Sequence, residues 1–104
     1  MAQFDVYANP GGRLADAVPY MVDIQARCVG DLPTRVLIPL ARLGPGVKPA
    51  RHLSPTVTVN GETLVLLTDQ LAAMPSTILG TPIASLAERR TEIIDALDFL
   101  FTGI

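Results

Sequence analysis

Asp95 and Asp98, three residues apart, are the nearest thing to an acid–base pair in the sequence. On a helix that step puts both carboxylates on one face, where paired carboxyls can share protons. The same face carries Glu88, Thr91, Glu92 and Thr102 at threes and fours, which reads as a solvated polar stripe. His52 is the one histidine and has no Cys or Asp at ligand spacing, so the expectation is a solvated loop residue, with no metal and no cofactor. Gly44-Pro45-Gly46 does not read as a phosphate loop, because its proline stiffens the backbone and removes a donor. Arg42, Lys48, Arg51 and His52 cluster in one long loop. They form either a basic patch for an acidic peptide or phosphate backbone, or scattered solubilising charge. Nothing here is a strong catalytic signal.

The elements that must position these residues are mostly strands. Gln3 to Tyr7 alternates, with Phe4 and Val6 on one face. Ala17 to Gln25 has Val18, Tyr20, Val22 and Ile24 at period two, and Arg35 to Pro39 is a more fully buried third strand that Pro39 ends. Leu43 to Pro55 is a loop. Thr56 to Val59 and Glu62 to Leu66 flank Asn60-Gly61, whose residue types suit the two positive-φ positions of a type I′ hairpin turn. Thr68 to Ala73 reads as one helical turn and Thr77 to Leu79 as a brief strand.

The last element is a helix. Ser85 and Glu88 fit a capping box, Gly103 fits a left-handed C-terminal cap, and Leu86, Ile93, Ile94, Leu97, Leu100 and Phe101 form one wide apolar face. Phe101 is therefore expected in the core and Thr102 on the surface. The fold class is α+β, mainly β: a small antiparallel, partly closed barrel with a C-terminal α-helix, in one domain spanning 1–104.

Hydrophobic residues make up 49% of the 104, which excludes disorder, while charged residues are only 17%. So little charge points to apolar surface buried in self-association, most simply a homodimer. A net charge of −2 argues against a free-standing nucleic-acid binder. The single cysteine, Cys28, cannot form an intrachain disulfide and reads as a small core hydrophobe. The N-terminus shows no secretion signal and no run is long enough to span a bilayer, so a cytoplasmic protein is expected.

The order of several short stretches resembles the CcdB family, toxins of plasmid-type toxin–antitoxin modules. They are Gln3-Phe4, Val6-Tyr7, Val22-Asp23-Ile24-Gln25, Ile38-Pro39-Leu40-Ala41, Pro55, Val57, Thr68, Ala72 to Pro75, Gly80, Ala84, Leu86, and Phe101, Gly103 and Ile104 at the end. The resemblance implies an SH3-like barrel and a homodimer without enzymatic activity. It further implies that the dimer wedges into the A subunit of DNA gyrase and traps cleaved DNA. A CcdA-like antitoxin segment would relieve the block, and operator DNA would be bound only together with antitoxin. The implied gyrase-contact residues are Thr102, Gly103, Ile104, Asp98, Cys28 and Val29, and the basic loop residues Arg42, Lys48 and Arg51 are candidates for the antitoxin. The family carries Trp where Thr102 stands, tends to carry an amide-type residue where Asp98 stands, and has paired isoleucines at Cys28 and Val29. Two alternatives follow: a member that keeps dimer and antitoxin but has lost or changed its gyrase target, and, more distantly, a MazF-type endoribonuclease, which shares the barrel.

Overall fold

Strand β1, Asp5–Ala8, opens the chain and pairs antiparallel with β2, Tyr20–Asp23, across an intervening short helix α1, Leu14–Ala17. The computed structural model describes residues 2–12 and 14–103. β2 pairs with the long strand β3, Thr34–Arg42. The far side of β3 has two partners: β5, Glu62–Leu66, along Leu40 to Arg42, and β6, Ala72–Pro75, along Thr34 to Leu37. β4, Thr56–Val59, pairs with β5, and the two-residue β7, Ala84–Ser85, lies on the outer edge of β1. The sheet order is β4-β5-β3-β2-β1-β7, with β6 beside β3. Arg89, just after β7, donates from Nη2 to the carbonyl of Thr56 on β4 at 3.1 Å, linking the two edges of a nearly closed barrel. α2, Arg90–Thr102, completes this SH3-like α+β fold.

The inner face follows the alternation expected of half-buried strands. Val6, Val22, Ile38 and Leu40 meet Val57, Val59, Leu64 and Leu66, and Ile93 and Ala96 of α2 pack onto them. The other face carries a smaller cluster: Tyr7, Met21, Leu37 and Leu79, with Met74 of β6 against them. β3 is thus buried on both sides along much of its length, as its apolar run implied. The β4–β5 hairpin forms at the expected bounds, with Asn60 at φ 51 and Gly61 at φ 81.

Several expectations are corrected. Pro39 does not end its strand, which runs on to Arg42. Its carbonyl accepts from Leu67 N–H, so its backbone faces the gap between β6 and β5, where a ladder donor has no strand to meet. The second strand is shorter than Ala17 to Gln25, because Leu14–Ala17 winds into α1. Thr77 to Leu79 is no strand. Ser76–Ile78 is a 3-10 turn, and the extra strand is β6, whose exposed alanines carry no apolar alternation to betray it. The helical turn at Thr68 is a 3-10 turn ending at Gln70. The capping box does not form. Ser85 is held in β7 opposite Asp5, its Oγ accepts from Ala87 N–H at 3.2 Å, and a 3-10 turn Ala87–Arg89 leads into α2.

Candidate interaction surface

The end of α2 is built from backbone chemistry. Gly103 takes φ 75, a left-handed conformation open to glycine, and its N–H caps the Phe99 carbonyl at 3.0 Å. Thr102 is exposed, and its hydroxyl donates back to the Asp98 carbonyl at 2.7 Å, so its polar group is spent within the helix. Asp98 and Gly103 are exposed as well; Ile104 lies outside the described residues.

Phe101 overturns an expectation. It is 69% exposed, the most open large apolar side chain among those described. At 3.6 residues per turn it lies about 90° round the helix from the centre of the arc formed by Ile93, Ala96, Leu97 and Leu100. The periodicity placed it on the margin of a wide stripe, and the barrel covers only the middle of that stripe. Phe99 beside it is half-buried under the ring of His52, at a centroid distance of 5.7 Å. His52 therefore does more than sit in solvent; at φ 68 it folds the loop over the helix.

Cys28 and Val29 lie on a 3-10 turn, Arg27–Val29, and both are exposed. Cys28 is thus not a core residue, because the turn projects beyond the β2 and β3 ends. What holds this turn was missed from the sequence. Asp23 and Arg35 are fully buried: Arg35 Nε donates to Asp23 Oδ2 at 2.7 Å, and Nη1 donates to the Gly30 carbonyl at 3.1 Å. Nη2 lies 2.7 Å from the same Asp23 oxygen, off the direction for a hydrogen bond. Gln25 completes the network. Its Nε2 donates to Val29 O at 2.7 Å, its Oε1 accepts from Val36 N–H at 3.0 Å, and its own N–H donates to Asp23 Oδ1 at 2.9 Å. The signal was there: opposite charges inside two apolar strands, with Asp23 paired to Leu37 and Arg35 two residues on, on the same face.

Tyr7 lies close to this pair, and its hydroxyl is buried without a hydrogen-bond partner among the described residues. Burial first, then the negative fields of Asp5 and Asp23, push the phenol above its ordinary range, while Arg35 pulls the other way. A phenol raised in the folded state contributes stability that is complete below the unfolded value near about 10 and is lost as pH rises through the folded one. Tyr7→Phe is therefore expected to leave neutral-pH stability unchanged or raised by up to about 1 kcal/mol. It should also reduce the loss of stability between pH 7 and about pH 11, read from urea midpoints at both. An equal alkaline loss in both proteins would contradict this.

The basic loop does not form one free patch. Arg42 is the last residue of β3, not of the loop; its Nε donates to Glu62 Oε2 at 2.6 Å and its Nη1 to the Asp16 carbonyl. The loop's turns, closed by bridges Gly44–Val47 and Ala50–Ser54, leave Lys48 and Arg51 exposed. The Asp95 carboxylate is exposed too, as a polar-stripe residue.

Within one subunit the candidate residues stand at opposite ends of α2. Arg27, at the start of the Cys28–Val29 turn, shares a cavity with Ala87 and Arg90. Thr102 lies twelve residues beyond Arg90, about 18 Å along the axis. On the outer sheet face, an apolar hollow of about 540 Å³ is lined by Val18, Met21, Pro39, Met74 and Ile78, with Asn9 and Gln70 among its polar residues.

This barrel and helix agree with what the sequence matches when compared with known families. The sequence model described as CcdB protein matches residues 3–103, nearly the whole chain. The chain belongs to the CcdB family, toxins of toxin–antitoxin systems that in general poison gyrase and are not themselves enzymes.

Proposed function

We propose that this protein acts as a cytoplasmic homodimer that binds the A subunit of DNA gyrase through the end of α2, and that a CcdA-like antitoxin neutralises it. The observation that carries this reading is Phe101, a large aromatic held 69% exposed on the last turn of a helix capped by Gly103. An aromatic side chain on a rigid element is the kind of anchor that dominates interface energetics. Phe101 thus supplies the π face that Thr102 lacks. Thr102, Gly103 and Asp98 are exposed on the same end of the helix, Ile104 follows them in sequence, and Cys28 and Val29 form a second, exposed apolar contact. The apolar hollow on the outer sheet face supports self-association. Of the three loop candidates, Lys48 and Arg51 are exposed and make no ion pair among the described residues, so they can steer an acidic antitoxin segment; Arg42 is engaged with Glu62. The nuclease alternative loses its main strand-borne cation, since Arg35 is buried and paired with Asp23.

The test is binding of a purified gyrase A fragment, with trapping of cleaved DNA as the functional readout. The expected result is a dimer at micromolar concentration in sedimentation, saturable gyrase binding, and a gain of at least about tenfold in affinity for Thr102→Trp, from the larger π face. A dimer that binds antitoxin but no gyrase, with or without the Trp, would put the retargeted reading in its place. A monomer that does not associate on concentrating would remove the homodimer.

A further inference from the structure

The start of α2 carries a second feature, at the opposite end of the helix from Phe101 and beside the Cys28–Val29 turn. A cavity of about 350 Å³ is lined by Ala2, Gln3, Phe4, Arg27, Ala87 and Arg90, two arginines and no acidic residue. Arg90 is held in place on two sides. Its Nη1 donates to Gln3 Oε1 at 3.2 Å, and its guanidinium carbon sits 5.6 Å from the centroid of the Phe4 ring. Gln3 is fixed in turn, its Nε2 donating to the Ile24 carbonyl at 3.2 Å. Phe4 is buried, with its carbonyl accepting from Leu86 N–H at 2.8 Å.

The neighbouring arginine shows what is missing. Arg89 has its own carboxylate, with Nε 2.6 Å from Glu92 Oε1. Among the described residues, neither Arg27 nor Arg90 makes an ion pair. Arg90 also stands in the first turn of a helix, where the backbone dipole disfavours a cation. A cation placed against the local field, oriented by a glutamine and an aromatic ring and left without a counter-charge, is a conflict that a bound anion resolves.

We propose that Arg27 and Arg90 form an oxyanion-binding pocket for a carboxylate side chain of a protein partner. The guanidinium fork pairs with a carboxylate in a planar, two-bond geometry. Nucleic acid fits less well. Binding a phosphate backbone takes a run of cations, whereas this chain has 8 Lys and Arg against 10 Asp and Glu, and two arginines line the cavity. Exposed Val29, two residues from Arg27, gives the pocket an apolar border of the kind a protein segment covers.

The experiment uses the intact protein and the tripeptide acetyl-Leu-Glu-Leu-amide, with acetyl-Leu-Gln-Leu-amide as the neutral control. Arginine Nε–Hε resonances of Arg27 and Arg90 are followed by NMR, and a short duplex DNA is titrated in parallel. The glutamyl peptide should move both resonances saturably. The glutaminyl peptide should bind at least about tenfold more weakly, as loss of charge-assisted hydrogen bonds requires. Arg27→Gln and Arg90→Gln should each weaken the glutamyl peptide by a similar factor while melting temperature stays put. Equal response to the two peptides, or an unchanged response in a folded variant of either arginine, overturns the pocket. Tighter binding of the DNA than of the glutamyl peptide at these resonances overturns the choice of a protein carboxylate.

Discussion

Asp23→Asn is expected to destabilise the protein by about 3–5 kcal/mol, the largest single-residue stability loss anticipated here. The cost comes less from the missing attraction than from what remains. Arg35 has no exposed surface and cannot reach water, so an amide at position 23 leaves a cation uncompensated in the interior. Asn still accepts from Gln25 N–H, which separates loss of charge from loss of that hydrogen bond. In urea the midpoint should fall with the slope unchanged. The double variant Asp23→Asn with Arg35→Met should recover much of the loss, since removing both charges leaves none unpaired. A midpoint shift worth less than about 1 kcal/mol for the single variant would mean that Arg35 finds another partner or that water enters. The loss also has a local side. Arg35 holds Gly30 and Gln25 holds Val29, so amide exchange over the 26–33 turn should quicken more than over the β4–β5 hairpin.

Phe101→Ala is expected to weaken gyrase binding by about 2 kcal/mol or more, roughly thirtyfold, while folding stability changes by within about 0.5 kcal/mol. The split follows from exposure. A side chain already 69% open leaves little cavity when truncated, but removes the largest apolar contact on that surface. Had Phe101 been in the core, truncation would cost about 3–5 kcal/mol of stability. Calorimetric titration with the gyrase fragment and urea unfolding of the same preparation check both halves. Unchanged binding would remove Phe101 as the anchor, and a stability loss that disappears on concentrating would assign it to the subunit interface instead. The same preparation should bind an antitoxin segment as before if Lys48 and Arg51 steer that partner, because neither cation touches the tip.

What the sequence determined by itself was everything governed by neighbours a few residues apart. Asn60-Gly61 specified a hairpin because both positions need positive φ, Gly103 ended α2 for the same reason, and alternation placed Val6 and Val22 on the inner face. The run of short family-like stretches likewise identified the fold, since residues 3–103 match the CcdB family. Tertiary structure decided the rest. Helical periodicity marks which residues can be buried, but how much of the stripe is covered depends on where the barrel ends, and that left Phe101 in solvent. Ser85 had the right neighbours for a cap and was taken by pairing with Asp5 instead. Ala72–Pro75 became a strand because β3 offered an edge beyond β5, not because its own residues ask for one. The charges of Asp23 and Arg35 stand out inside their apolar strands, but the strand register decides that they meet; Arg27 comes beside Arg90 across a long stretch of chain, and no spacing rule reveals that. Local chemistry acts through the backbone and is written in sequence; burial and charge pairing act through space, and only the folded chain defines that.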